Sequence, residues 1–539
     1  MVLLGVYAAT SQLMDPGGHL ITDVGGKTAT LQAMVERGDW DPDLGYWFEE
    51  ADPEGTVYPF DKTRLTNQGQ WVNATSFTMI YPARPLWAIG GPRAALLLPM
   101  LGAVAAALAA GALHRRVAPG TSGAASAWVV GLASPMFIYA VDFWEHSLGV
   151  GLMAWAIVAV IDAIDDESRW WPAAVAGIGY ALAATMRQEA LAYGFVGGIT
   201  LVVVTFRQGG FRHAATRGAL MATGCAAVLG GYSVLETMVT GGSFRNSRSV
   251  ATAGSGIDLG ERFTTSTMTT LFPFNGFDGL ALVDGFLLFG TLLWLGWSMV
   301  SGRSLRPAAQ AAGLVWGVSL VLLIWLGPGF VPGLVPAAPL ATLGLVAGIH
   351  RRRWIVLALG LGPLPLVLAT AFSGGSLVQW GGRYQLTTGL VLVVLALSLV
   401  GGLRSENGRP PGVVLALVGV SVFITGFGVL WGIERTRAVA TDWDTLGALT
   451  DPDDVVVWRD PVFAREAGAF MPGRRWLAAP HDEQQVFLAS ALSSQNVEAF
   501  VWLDDPDGEL ESFAGFTAGE QVGELDFFPI RLTRFERTG

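Results

Sequence analysis

The sequence predicts an all-α polytopic membrane bundle of about 13 transmembrane helices, followed by a small extracytoplasmic α/β domain. Three observations predict it. Only 14% of the 539 residues are charged, 52% are hydrophobic, and the mean hydropathy is +0.47. Soluble domains are about 25% charged. The apolar residues fall in blocks of about 20 separated by short arginine-bearing loops, the pattern of consecutive membrane crossings. The charge is also unevenly placed. From Glu434 onward there are 9 Arg and 20 Asp+Glu, which is the whole net charge of −11, so residues 1–433 sum to zero. This break divides a membrane domain, 1–432, from an acidic domain, 433–539. The composition excludes a disordered chain, a disulfide scaffold and a nucleic-acid binder. The single cysteine, Cys225, lies in an apolar run and forms no intrachain disulfide.

Val2 to about Ser11 is apolar but short of the roughly 20 residues that one crossing needs. It lacks the charged leading region of a signal peptide, so the expectation is a first helix clipped by a late start codon. A first extracytoplasmic loop then runs over 14–92. Spans are expected near 94–113, 123–140, 145–163, 215–238, 280–300, 309–327, 331–349, 354–373, 385–402 and 412–432. Residues 172–206 read as two short helices meeting at Arg187-Gln188-Glu189. His114-Arg115-Arg116, Arg207/Arg212/Arg217, Arg303/Arg306, His350 to Arg353, and Arg404/Arg409 fall on alternate loops, which the positive-inside rule makes cytoplasmic. Loop 14–92, the turns near 142 and 187, loop 240–278, the turn near 379–384 and the tail then lie outside. In the tail, Val455 to Trp458 reads as a buried strand. Asp482 to Ser494 reads as a helix capped by Asp482, and Glu498 to Leu503 as a second strand. With no GxGxxG after a strand, the tail is expected to serve structure or acceptor docking.

No metal-ligand spacing, CxxC, P-loop or GxSxG occurs, and the six histidines are scattered. Neither a metal nor another cofactor is expected. Chemistry must rest on carboxylates and cations. Asp23 follows the first helix, and Lys27 is four residues on, on the same face of any helix there. Gly25-Gly26 argues against such a helix. The structural alternative is that Asp23 caps a surface helix and its pairing with Lys27 is solvated. Lysine occurs only twice, at Lys27 and Lys62, both in this loop, against 31 Arg. Ser76 to Trp87 carries Tyr81-Pro82-Ala83-Arg84-Pro85-Leu86, with an interfacial aromatic belt as the plainer reading. Asp142-Phe143-Trp144-Glu145-His146 puts three ionisable groups in one turn, with helix capping as the plainer reading. Arg187 and Glu189 form a charged break, or a self-satisfied pair. Arg245 and Arg248 lie in loop 240–278, which ends Phe272-Pro273-Phe274-Asn275-Gly276, and Trp380-Gly381-Gly382-Arg383-Tyr384 precedes a late helix. Lys27, Arg187, Arg245, Arg248 and Arg383 on one outer face run against the positive-inside bias, and an anionic ligand explains them.

These short motifs resemble the GT-C superfamily of integral-membrane glycosyltransferases. They are Asp-x-x-x-Lys after helix one, Tyr-Pro-x-x-Pro-Leu ending the first loop, Trp-Glu-His, Phe-Pro-x-x-Gly and Gly-Gly-Arg-Tyr. The similarity is to the branch of protein O-mannosyltransferases and lipid A aminoarabinose transferase, and it covers roughly 1–432. The chain departs in having Val24 rather than a second acid after Asp23, and in lacking Trp-Trp-Asp, which sets it apart from N-glycosylation enzymes. The resemblance implies transfer of a sugar, in mannosyltransferase fashion, from a polyprenyl-phosphate donor to a hydroxyl of a glycan, lipid or protein acceptor. It implies inversion, with Asp23 as general base and Lys27, Arg245 and Arg383 on the donor phosphate. Glu145, His146, Tyr384 and Arg187 would bind sugar or acceptor, at the outer face of the cell membrane. The rival reading is a transporter or a flippase for lipid-linked sugars, which calls for polar residues along mid-membrane helix faces. A non-catalytic scaffold leaves the outer cations unexplained.

Overall fold

The computed structural model describes residues 1–60, 62–74, 77–242, 259–275, 278–326, 329–370, 380–402, 412–459, 461–505, 512–513 and 515–538. The chain divides into two compact units. The first comprises Met1–Thr10, Leu97–Tyr232 and Thr252–Trp431, and the second Ser11–Leu96, Ser233–Ala251 and Gly432–Gly539.

The first unit is helical. Among the described residues of the chain, six helices are long and apolar enough to cross a membrane: Leu97–Val117, His146–Asp165, Glu189–Thr240, Gly279–Val300, Arg306–Trp325 and Gly412–Leu449. Trp171–Met186, Leu340–His350 and Leu386–Gly402 are shorter apolar helices. Leu97–Val117 packs through alanines, with Ala103, Ala106, Ala107, Ala109 and Ala110 fully buried. Small side chains let helix backbones approach where no hydrophobic drive separates helix from lipid.

Proline explains most departures from the expected spans. The span expected over 123–140 is Ala124–Leu132 and Met136–Ala140, parted at Ser134-Pro135. The one expected over 331–349 is Leu334–Ala337 and Leu340–His350, parted at Pro339. The one expected over 354–373 is Trp354–Leu361 and Leu364–Thr370, parted at Gly362-Pro363, with 371–373 outside the described residues. Proline has no N–H to give to the preceding turn. Glu189–Thr240 covers two expected spans in 52 residues and kinks at Gly210, where φ is 74°. Gly412–Leu449 runs without a break through the change of composition at 433. Its 38 residues make about 57 Å at 1.5 Å each, against a hydrocarbon core of about 30 Å.

The second unit is α/β. The first loop supplies the helices Gly25–Arg37 and Phe77–Ala95 and a hairpin of β1 (Thr63–Leu65) with β2 (Trp71–Asn73). The tail supplies β3 (Val455–Trp458), β4 (Arg475–Ala478), β5 (Ala499–Asp504), β6 (Ser512–Phe513), β7 (Phe516–Leu525) and β8 (Ile530–Arg537). They form one sheet in the order β4-β3-β5-β8-β7-β6. β3 is parallel to β4 and β5, and the remaining pairs are antiparallel. Alternate residues of β3 face two cores, Val455 and Val457 toward Leu488, Trp502 and Phe535, and Val456 and Trp458 toward Trp443, Trp476 and Leu532. The first loop covers the open edge at β4: Ala478 donates its N–H to Val57 O at 2.9 Å, and Trp47 Nε1 donates to Trp476 O at 3.1 Å. The helix expected over Asp482–Ser494 is present, but its cap is His481, whose N–H and side chain form a reciprocal box with Gln484. Asp482, expected as the cap, is the first helical residue.

Candidate functional site

In the first unit, Gly381 and Gly382 turn the chain with φ of 60° and 72°, and their N–H groups donate to Val331 O and Pro332 O at 2.7 Å each. A methyl group on Gly381 would strike the Pro135 ring, so the turn needs glycine both for its φ and for its space. It delivers Arg383 and Tyr384 on a 3₁₀ turn, Arg383–Gln385. Arg383 Nε donates to His146 Nε2 at 2.8 Å. Since Nε2 accepts, the ring proton of neutral His146 sits on Nδ1. The ring stacks on Tyr139 at 4.9 Å and lies 4.2 Å from Trp144. Tyr139 is itself fixed by donating to Trp380 O at 2.7 Å.

Arg187 stands beside this group. Its Nε donates to Glu189 Oε1 at 2.8 Å, and its Nη1 lies 3.6 Å from Glu145 Oε1. Both guanidiniums lie 5.3 Å from the Tyr384 ring centre, a cation–π distance, and Arg383 is 5.1 Å from the Trp144 ring. Arg187, Arg383, Glu145 and Glu189 are 5%, 8%, 3% and 9% exposed, so four ionisable groups are withdrawn from water in an apolar helical unit. Arg187 Nη2 is buried with no hydrogen-bond partner among the described residues. Glu145 precedes helix His146–Asp165 without a side-chain capping bond, so pairing with Arg187 replaces the capping role that its position permits.

In the second unit, Asp23 sits in a 3₁₀ turn, Thr22–Val24, that leads into helix Gly25–Arg37. That helix forms despite its glycines, and Val24, not Asp23, occupies the cap position. A Cβ on Gly25 would fall on the Arg465 carbonyl oxygen, so this glycine permits backbone contact with helix Pro461–Ala467. The Asp23 carboxylate pairs with Arg465, and Lys62 Nζ is 3.9 Å away. Lys27 donates from its buried ammonium to the Asp23 main-chain oxygen at 3.1 Å. Lys62 has φ of 61°, a costly backbone for a non-glycine residue. Arg435 donates to Leu20 O at 2.8 Å and to Glu466 Oε1 at 3.0 Å. Burial holds the Glu466 carboxyl above its ordinary range, Arg435 and Arg465 pull it back, and Asp23 adds to the rise.

Glu145, His146, Arg187, Arg383 and Tyr384, named from the sequence, therefore meet in the first unit, and Asp23 and Lys27 lie in the second. Arg245 and Arg248 lie outside the described residues. Nothing near Arg465 in sequence marks it as a site residue. Lys62 had a signal, as one of two lysines in a chain of 31 Arg. Among the described residues no group of three or more His, Cys, Asp or Glu is placed to hold a metal.

No family model matches the chain, and no curated protein matches it. Solved structures do. ArnT from Cupriavidus metallidurans in the apo state is 13% identical, with 99% of this chain and 97% of that one covered and a TM-score of 0.46. The same protein bound to undecaprenyl phosphate is 14% identical over the same shares, also with a TM-score of 0.46. The Archaeoglobus fulgidus oligosaccharyltransferase in the apo form is 13% identical, with 94% of this chain and 69% of that one covered and a TM-score of 0.47.

Proposed function

We propose that the chain is a membrane glycosyltransferase that moves a sugar from a polyprenyl-phosphate donor to an acceptor hydroxyl, with inversion, on the extracytoplasmic side. The observation that carries this reading is the buried pair Arg187 and Arg383, with Arg187 Nη2 still lacking an acceptor among the described residues. A buried guanidinium N–H left without a partner is costly, and a phosphate oxygen is the acceptor that matches its geometry. Tyr384, set against both cations, would flank the head group, and Glu145 and His146 would orient the sugar or acceptor.

In this reading the acceptor O–H gives its proton to the Asp23 carboxylate as its oxygen attacks the anomeric carbon. The new C–O bond forms as the bond from that carbon to the phosphate oxygen breaks, and polyprenyl phosphate leaves with the electron pair. In-line attack inverts the centre. The leaving group is a stable anion and needs cations rather than a general acid. Lys62 joins Lys27, Arg245 and Arg383 as a candidate for that charge, because its ammonium lies beside Asp23.

The experiment is release of polyprenyl phosphate by the purified full chain in lipid nanodiscs, given a panel of polyprenyl-phosphate sugars and a cell-envelope fraction as acceptor. The native protein is expected to release it. Asp23→Asn is expected to slow release by about 10²–10⁴-fold while donor still raises its melting temperature. Native turnover in Asp23→Asn removes the base. No release from any donor, together with movement of lipid-linked sugar across vesicles, makes the chain a flippase.

A further inference from the structure

We infer that Arg465 is a positioning residue for the general base, so that the C-terminal segment is part of the catalytic machinery rather than a docking module alone. This rests on the reading of Asp23 as base. Arg465 pairs with the Asp23 carboxylate across 442 residues of sequence. It is 8% exposed and the Asp23 side chain 24%, so the contact is partly sheltered from the screening that makes surface pairs weak. The backbone carrying it is seated on Gly25, two residues beyond Asp23, where no side chain would fit. Next to it, Arg435 ties Leu20 to Glu466 at 2.8 and 3.0 Å. The short stretch before and after Asp23 is therefore held at Leu20 by helix Gly412–Leu449 and at Asp23 and Gly25 by helix Pro461–Ala467.

A general base must present one carboxylate oxygen at a fixed place while the other is held. The guanidinium does this to Asp23 and also favours its charged form. Among the described residues, the groups around Asp23 include Arg465, Lys62 at 3.9 Å, Lys27 on its carbonyl, and Glu466 with Arg435 behind it. Two of these oppose one another, since Glu466 disfavours and Lys62 favours the Asp23 anion. Removing the Arg465 charge leaves the acidic neighbour less compensated, so the carboxylate titrates at higher pH. A cation beside a carboxylate lowers its pKa by about 1–3 units.

The experiment uses the full chain in nanodiscs. Polyprenyl-phosphate release is followed against pH for native, Arg465→Gln and Arg465→Lys. Arg465→Gln is expected to move the acid limb of kcat/KM upward by about one unit or more, and Arg465→Lys to restore its position. The limb belongs to the molecules that turn over, so partial misfolding does not move it. An acid limb at its native position in Arg465→Gln overturns the inference. A second measurement is independent of turnover: carbodiimide labelling of protonated Asp23, read by peptide mass spectrometry across pH. The half-labelling pH is expected to rise in Arg465→Gln and to hold in Arg465→Lys, and an unchanged value in Arg465→Gln overturns the pairing. If the native chain releases nothing, the transferase reading fails, while the labelling still decides whether Arg465 governs Asp23.

Discussion

His19 is buried close to Gly468 and Thr28, and its Nε2 has no hydrogen-bond partner among the described residues. Burial, with a smaller push from Arg435, lowers its pKa to about 4. The unfolded chain would titrate it near 6.5, so between those values the unfolded state binds the extra proton. Stability from the neutral ring is then complete above about pH 6.5 and is lost as pH falls toward 4, a difference of about 3 kcal/mol. Glu466, with its raised pKa, works in the opposite sense: its contribution is present at low pH and fades as pH rises. The two are separated by comparing native protein with His19→Gln, because Glu466 is common to both. Thermal unfolding followed by tryptophan fluorescence at pH 7 and pH 4.5 should show a steeper acid loss in the native chain. Parallel pH profiles would mean that His19 is protonated without cost.

At the scale of elements, helix Gly25–Arg37 sets two effects against each other. Replacing a helical glycine by alanine usually stabilises by about 1 kcal/mol. Here the added methyl meets the Arg465 carbonyl oxygen, and forcing extra volume into a packed contact costs about 1–3 kcal/mol. A backbone oxygen cannot swing aside as a side chain does, so the packing term is expected to win. Gly25→Ala should lower the melting temperature and displace helix Pro461–Ala467 from Asp23. A higher melting temperature would show that the contact gives way. The same position explains what was legible in the sequence. Gly25-Gly26 read as a reason against a helix, because intrinsic propensity is local and the packing that requires glycine is not. The clean spans were legible from hydropathy, and their breaks at Ser134-Pro135, Pro339 and Gly362-Pro363 were written in the prolines. Glu145, His146 and Tyr384 stood out because charge or polarity at the end of an apolar run is rare. Arg465 does not, because in an acidic tail with nine arginines nothing local in the sequence separates a buried one from the rest.

For the whole molecule, the distribution of arginine predicts an orientation that can be measured. Helix Leu97–Val117 ends in His114, Arg115 and Arg116, and helix Leu340–His350 runs directly into Arg351 to Arg353. Arg303 and Arg306 flank the turn between the helices Asp278–Val300 and Arg306–Trp325. The positive-inside rule predicts that these ends are cytoplasmic. The turns carrying Glu145 and Arg383 are then expected outside, and so is the acidic tail, one crossing beyond the arginine-bearing loop with Arg404 and Arg409. The lone cysteine makes the test clean, since Cys225→Ser leaves a background without thiols. Val486→Cys, at a site 69% exposed on helix Asp482–Ser494, should react with a membrane-impermeant maleimide in intact cells. Ser304→Cys, exposed between Arg303 and Arg306, should react only after the membrane is opened. Orientation matters to the chemistry as well as to the map, because the proposed base Asp23 belongs to the same compact unit as Val486. The reverse labelling pattern would place that unit in the cytoplasm, where the donor would have to present its sugar on the inner leaflet, and the outer-face reading of Arg187 and Arg383 would fall with it.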